Sequence, residues 1–323
     1  MLAQMSGASR TVEQKTNYLG FPKPGELIEM TGTHALEASD RAILNLLYQH
    51  AHDSGRLLDP NAEWEVPLAI VRQAFSKHGS SDRLRDSLTR LMSVKVNVVY
   101  VADNPDGSEG PEHRIVITGL FDFFDLSAKE LAKRATLRYG LPRKLAPMLE
   151  TSGRWGRIKA EVVCSMTSKY AIALYELVQL RANMERCVET FPISRLRELL
   201  GVPPDTYARS DNFQRKVIDP AVLEVNGLSD MGVQVEVVRQ HSRAPVHAAT
   251  VAWWRKSGEE FRAAMQERNR SKVGRMARLR GQVELAETAS PPLQEKIKAT
   301  IEVMRKAGAP EADIDAFIKG SVA

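Results

Sequence analysis

The chain is poor in the residues that most enzymatic, disulfide-bonded and membrane chemistries require. Its 323 residues include only two cysteines, Cys164 and Cys187, with no Cys-x-x-Cys spacing. That excludes a disulfide framework or zinc ribbon and fits a reducing cytoplasm. No Cys/His cluster has metal-ligand spacing, so no metal or other cofactor is expected. There is no Gly-x-x-x-x-Gly-Lys phosphate loop, which argues against an intrinsic ATPase. No apolar run approaches the roughly 18 residues that span a bilayer, and no membrane partner is expected. The stretches Val98–Ala102 and Ala171–Tyr175 are far too short. Residues 1–10 lack an apolar core, so no signal peptide is expected there.

What is present is ordinary globular material, 43% hydrophobic, with a formal net charge of +5. At about 100–200 residues per domain, the length suggests two domains and a tail. The charge is unevenly spread. Lys129–Lys159 holds nine Lys/Arg against two Glu, and Arg255–Arg280 nine against three. His34–Asp125 is acidic, with nine basic against 14 acidic side chains. Two basic segments flanking one block point to a polyanionic partner. The segment Arg255–Arg280 is expected to add affinity without specificity.

Residues 1–25 are polar and read as a flexible arm. The first domain is expected over 26–160, including a basic linker. Its helices are read at Ala35–His50, near Pro67 (Leu68, Val71 and Phe75 on one face), and at Asp82–Met92. The last follows the turn and cap Gly79-Ser80-Ser81-Asp82 and repeats Leu84, Leu88, Leu91 and Met92 at helical spacing. Strands follow at Val94–Val101 and His113–Thr118, joined by the turn Asn104-Pro105-Asp106-Gly107. Between the halves, Lys129–Gly156 reads as helix pieces broken by Gly140, Pro142 and Pro147.

The second half repeats this order over 161–256. Helices are expected from Ser168, from Ile193, and over Asp211–Asn226, then strands at Val233–Arg239 and Val246–Trp254. Three helices followed by a strand pair is the winged-helix layout, which places one helix in a DNA major groove. The expected fold is therefore α+β and mainly helical: two tandem winged-helix domains with a charged helical C-terminal tail over 257–323. That tail is punctuated by Ser290-Pro291-Pro292 and ends in a helical pair.

On the third helix of the second half, Phe213, Val217, Ile218, Ala221, Val222 and Val225 share one side. Asn212, Arg215, Lys216 and Asp219 recur at i, i+3, i+4 and i+7 on the other. Arg and Asn read guanine and adenine edges bidentately, and Lys suits guanine or phosphate. Arg209 and Ser210 precede this helix. The wing tip carries Arg239, His241 and Arg243, which suit phosphate or minor-groove contact. In the first half the equivalent DNA-facing candidates are Ser81, Arg83, Asp86 and Arg90. Gln214 falls on the apolar side. Pro220 should kink or split the helix, with Asp219 able to cap a new one.

At these residues the sequence resembles the plasmid replication initiators that bind iterons. The resemblance rests on Ser168-Lys169-Tyr170-Ala171 with Leu174-Tyr175-Glu176, and on Ile193-Ser194-x-Leu196-Arg197-Glu198-x-Leu200-Gly201. It extends through Phe213-x-Arg215-Lys216-Val217-Ile218-Asp219-Pro220-Ala221 with Glu224-Val225-Asn226. Upstream, His34-Ala35-Leu36 and Asp40-Arg41-x-x-x-Asn45-Leu46-Leu47-Tyr48 look like the family's first domain. The resemblance implies two winged helices on double-stranded DNA at directly repeated origin sites, with the main major-groove helix in the second. It also implies dimerisation through the first domain in an autorepressing form, origin melting, and recruitment of the host helicase, its loader and the host initiator. A bacterial cytoplasmic, plasmid- or nucleoid-associated protein without enzymatic activity is expected. The acidic first domain fits a protein-contact role. A winged-helix transcriptional repressor is the alternative, and a scaffolding protein without DNA affinity a third reading. A rolling-circle nicking enzyme fits poorly. Its paired metal histidines would have to be His50-Ala51-His52, at a helix end where i and i+2 point about 200° apart. Tyr170 and Tyr175 read as packing residues rather than nucleophiles.

Overall fold

Alternation of apolar and polar side chains sets the strands of the first half, and the 3.6-residue repeat sets its helices. A computed structural model describes residues 20–75, 81–102, 112–126, 135–241, 244–289, 300–305 and 310–322. The arm to residue 19, Gly79-Ser80, the turn Asn104–Gly107, Lys129, Arg243 and Ser290-Pro291-Pro292 lie outside these residues. Strand β1 (Phe21–Pro24) leads into the single turn α1 (Gly25–Ile28) and helix α2 (Ala38–Asp53). Then come β2 (Trp64–Pro67), α3 (Leu68–Val71) running into a 3-10 turn at Arg72–Ala74, and α4 (Ser81–Ser93). The wing is β3 (Val96–Ala102) against β4 (Glu112–Thr118), antiparallel, with Val99 opposite Ile115.

Three expectations for this half need correction. The arm ends before Phe21, because Phe21–Pro24 is a buried strand. Pro22 and Pro24 are tolerated because β1 belongs to a two-stranded pair and is an edge strand. The second helix is only one α-turn and one 3-10 turn. The basic linker is not a string of helix pieces. It contributes β6 (Thr136–Gly140), which follows β5 (Phe123–Leu126) and lies between β2 and β5 in one sheet. Leu137 and Tyr139 are buried and Arg138 is exposed, a period-two pattern hidden within a run of positive charge. One helical turn, α5 (Met148–Thr151), then precedes β7 (Trp155–Ile158), the antiparallel partner of β1.

The second half begins with α6 (Ala160–Ser165) and α7 (Lys169–Arg181). Every residue of α7 from Ala171 to Arg181 is buried. A helix apolar on nearly all sides is an interior element, and α7 packs against α2 and β7 on one flank and the third helix of its own half on the other. Strand β8 (Val188–Pro192) and α8 (Ile193–Leu200) follow. Helix α9 runs Ser210–Phe213, a π-helical turn at Gln214–Ile218, then Asp219–Leu228. The wing is β9 (Met231–Val238) with β10 (Ala248–Arg255), and β8 completes a sheet of order β8-β10-β9. Helices α10 (Gly258–Asn269), α11 (Arg275–Ala289) and α12 (Glu311–Val322) close the chain, and residues 300–305 are helical.

A buried polar cluster joins the halves. Lys23 on β1, 0% exposed, places Nζ 2.9 Å from Glu176 Oε1 on α7, itself 1% exposed. Lys23 also donates to Asn45 Oδ1 at 3.2 Å, and Asn45 Nδ2 donates to Glu176 Oε1 at 2.6 Å. Arg41, one turn back on α2, donates to Thr33 Oγ1 at 2.7 Å. Burial pushes the Lys23 ammonium below its ordinary pKa, and the Glu176 charge opposes that shift. Breaking a buried pair leaves an uncompensated charge, whereas replacing both partners with apolar groups need not. Lys23→Met should therefore lower the unfolding free energy by about 3–5 kcal/mol. Lys23→Met/Glu176→Leu should recover much of that loss. Urea titration of the wild type, each single variant and the double variant measures the coupling; additive losses would contradict it.

Candidate nucleic-acid interface

Helix α9 is the centre of the candidate surface, and contacts of four residues fix how it is presented. Gly201, at φ +70°, ends α8; a Cβ there would come within 2.7 Å of the Arg41 guanidinium, so only glycine fits. Arg197 on α8 donates to the carbonyls of Thr206 and Tyr207 and lies 4.9 Å over the Phe213 ring. It thereby holds the turn between the two helices, in which Asp205 and Tyr207 adopt positive φ. Glu224, 1% exposed on the back of α9, accepts from the Thr167 and Ser168 amides at 2.9 and 3.0 Å and so caps the start of α7. Asn226 exchanges two hydrogen bonds with Val233, donating to its carbonyl and accepting from its amide, and so sets the first residues of the wing.

The apolar side of α9 is buried as expected at Phe213, Val217, Ile218, Ala221 and Val225, while Val222 is half-buried. On the outer side Arg215, Lys216 and Asp219 are exposed and Asn212 is half-exposed. Arg215 donates to Asn212 Oδ1 at 3.2 Å, so the two side chains are neighbours on this face. The irregularity expected at Pro220 takes the form of a π-helical turn at Gln214–Ile218 just before it. The chain keeps right-handed helical angles through Asp219, and the Asp219 amide bonds to the Gln214 carbonyl five residues back. This widened turn absorbs the proline. Asp219 is thus inside a continuous helix and caps nothing; its carboxylate instead accepts from Gln214 Nε2 at 2.6 Å.

Around α9, Arg209 is 81% exposed, with Asp211 3.9 Å away. Arg239 is more confined than a wing-tip phosphate contact would be. It donates to Ser210 Oγ at the start of α9 and to the Ala244 carbonyl in the tip, which ties the wing to the helix. His241 is exposed at the tip. Arg243 lies outside the described residues.

The first-half candidates divide. Arg83 and Asp86 are exposed on α4, and Ser81 accepts from Arg72 at 3.5 Å. Arg90 is committed elsewhere: its fork grips Asp40, 0% exposed, at 2.7 and 3.0 Å, with Glu37 3.3 Å away. Asp40 also accepts from the Glu37 amide. Sequence periodicity placed Arg90 on an outer face but could not reveal an aspartate 50 positions away. Arg83, Asp86 and Arg90 border a cleft of about 610 Å³ whose other walls include Lys169 and Lys272. Lys169 entered the sequence reading only as part of the Ser168-Lys169-Tyr170-Ala171 motif, and no local signal marks Lys272.

The two histidines of His50-Ala51-His52 have separate engagements. His50 Nδ1 lies 2.9 Å from the Tyr139 hydroxyl, and His52 Nδ1 lies 3.3 Å from Asp53. Tyr175 is buried, its hydroxyl accepting from the Lys159 amide at 3.3 Å. Among the described residues no group of three His, Cys, Asp or Glu is placed to hold a metal ion, and no helix is long and apolar enough to cross a membrane.

Two winged helices in tandem, each with an outward helix beside its wing, define the class as a tandem winged-helix protein. The family model described as initiator replication protein, WH1, matches residues 23–179, and that described as initiator Rep protein, WH2, matches 192–248. Together they span most of the chain, which belongs to the initiator Rep protein family. Among solved structures, the Pi initiator protein in complex with iteron DNA is similar at 13% identity and a TM-score of 0.47, over 71% of this chain and 97% of that one. Domains 2 and 3 of RctB are similar at 13% identity and a TM-score of 0.41, over 67% of this chain and 81% of that one. No curated protein sequence matches.

The arginines separate by thermal or chemical denaturation. Arg90→Ala leaves buried Asp40 without its charged partner and should cost about 1.5–3 kcal/mol of stability. Arg215→Ala removes an exposed side chain and should stay within about 0.5 kcal/mol of wild type.

Proposed function

We propose that this initiator binds directly repeated sites at a plasmid origin, with α9 as the principal major-groove helix. The observation that carries this reading is the outer face of α9, where Asn212, Arg215 and Lys216 stand together beside a wing that Arg239 holds against the helix. Arg209, Ser210, Asp219, His241 and Arg243 fill out the second module's surface, and Ser81, Arg83 and Asp86 serve the first module. In this reading 26–160 and 161–256 act as the two DNA-binding units, in the bacterial cytoplasm with the plasmid. The protein works by binding: it helps open the origin and gathers the host helicase, its loader and the host initiator. No catalytic residue is assigned.

The same reading includes a homodimeric, autorepressing form, for which the first wing is the natural surface. Val99, Val101, Ile115 and Ile117 are 50–71% exposed on one face of the β3–β4 hairpin. Val99 and Ile115 are direct cross-strand partners, so the side chains form one patch rather than scattered exposures.

The deciding experiment supplies the protein in trans to a plasmid carrying only the DNA that flanks its gene. Maintenance of that plasmid is expected; loss, with promoter repression intact, would make the protein a repressor alone. On the footprinted DNA, Arg215→Ala should weaken binding by about 1–3 kcal/mol and relax discrimination at one base position. A uniform loss on all sequences, with a salt slope smaller by about 1, would instead make Arg215 a phosphate contact. For the dimer, Ile115→Glu/Ile117→Glu should yield monomers in sedimentation velocity without loss of DNA binding. An unchanged dimer fraction removes the hairpin from the interface.

A further inference from the structure

The basic stretch Arg255–Arg280 is only partly turned outward: Arg255, Arg262, Arg270 and Arg280 are exposed, Lys256, Arg268, Lys272 and Arg278 are half-buried and Arg275 is buried. Six of its nine basic side chains bond within the molecule: Arg255 to Asn183, Lys256 to the Asn226 and Ser229 carbonyls, and Arg270, Lys272, Arg275 and Arg278 as follows. Glu267, 1% exposed, receives Arg278 at 2.6 Å, with Arg270 and Arg275 each 3.6 Å away. Arg275, 3% exposed, caps the end of α10 by donating to the carbonyls of Glu267, Arg268 and Arg270. Leu279 on α11 is buried against α9, so closely that a Cβ on Gly227 would come within 2.3 Å of it. These helices lie beyond residue 248, where the WH2 match ends.

Two of these cations reach the segment between α6, which packs against α2, and α7, which packs against α9. Lys272 Nζ donates to the Cys164 carbonyl at 2.7 Å, and Arg275 donates to the Ser165 carbonyl at 2.8 Å. Those carbonyls end α6, where a helix favours positive charge. Beyond Met166, the amides of Thr167 and Ser168 are held by Glu224 of α9. The link between the winged helices is thus held from the recognition helix and from the C-terminal helices. Lys272 also borders the cleft beside α4, with Arg83, Asp86 and Arg90.

We infer that Lys272 and Arg275 are positioning residues for DNA binding: by fixing the 164–168 junction they set the relative rotation of the two winged helices, and so the spacing of DNA contacts the protein accepts. Each added base pair turns the duplex by roughly 35°, given about 10–10.5 base pairs per turn. Two modules held at a fixed angle therefore reject a one-base-pair insertion between their contacts, and two loosely joined modules tolerate it. The inference rests on the proposed DNA-binding reading in its spacing claim alone.

The test uses full-length protein and duplexes that the wild type selects from random-sequence DNA, with zero to three base pairs inserted between the two protected segments. The wild type should lose about tenfold in affinity on a one-base-pair insertion, roughly 1.4 kcal/mol. Lys272→Met, and separately Arg275→Lys, should flatten this profile to within about twofold across spacers and speed amide exchange at Thr167 and Ser168 about tenfold. An unchanged profile with faster exchange makes the clamp merely stabilising and overturns the inference; unchanged exchange overturns it as well. A uniform affinity loss at every spacer, with a smaller salt slope, would make Lys272 a phosphate contact instead. If the wild type selects no DNA, the proposed function fails, while amide exchange still decides whether these residues hold the junction.

Discussion

The buried ion pair between Lys23 and Glu176 is the constraint on which the rest of the molecule depends. Both charges are taken out of water, at 0% and 1% exposure. Such a pair is tolerable only if its geometry is satisfied, because a displaced partner leaves a charge in a low-dielectric interior. Asn45 completes it by bonding both members, and its Nδ2 also donates to the Arg41 carbonyl within α2. The cluster therefore accepts one position of α7 relative to α2 and β1. Hydrophobic burial along α7 could tolerate sliding or rotation, since that helix is apolar on nearly every side; the polar cluster removes that freedom. From α7 the constraint passes to α9 through the Glu224 cap on Thr167 and Ser168, and from α9 to the wing through Asn226 and Val233.

This chain of contacts explains which sequence signals carried the family resemblance. Arg41, Asn45, Glu176, Arg197, Gly201, Glu224 and Asn226 all belong to the motifs that suggested it, and each holds one element to another. The fold was legible because buried polar residues have few substitutes. An aspartate in place of Glu224 would fall short of the Thr167 and Ser168 amides, and any side chain at Gly201 meets Arg41. The outer face of α9 was legible for a different reason, the helical repeat of Asn212, Arg215, Lys216 and Asp219, which needs no tertiary information.

What was not legible depended on distant partners or on patterns masked by other signals. Strand β6 was hidden by positive charge, by Gly140 at its end and by Pro142 beyond it, although Leu137 and Tyr139 alternate correctly with Arg138. Strand β1 was hidden by two prolines that an edge strand accepts. Arg90 looked like a reading residue because its periodicity on α4 is right, while Asp40, which claims it, lies on another helix. The charge count of Arg255–Arg280 was correct, but net charge does not say which way side chains face. Glu267 pairs with three of those arginines, and the two carbonyls that end α6 take Lys272 and Arg275.

The widened turn in α9 shows how one local irregularity serves both faces of a helix. Its apolar contacts Phe213, Val217, Ala221 and Val225 recur every four residues, whereas an α-helix completes a turn in 3.6. A strict four-residue repeat drifts by about 40° at each step, or roughly 120° over the three steps from Phe213 to Val225. That spread still lies on one side of a uniform α-helix. A turn closed by an i to i+5 bond takes up extra residue length, and the turn at Gln214–Ile218 lies within the row, which narrows the spread of these four buried side chains. Pro220 favours this location, because it has no amide to offer and its ring crowds the carbonyl four residues back in a regular helix. The same extra length falls beneath Arg215 and Lys216. It sets their direction relative to Asn212, so the residue that breaks the helical rule also helps fix the geometry of the outer face.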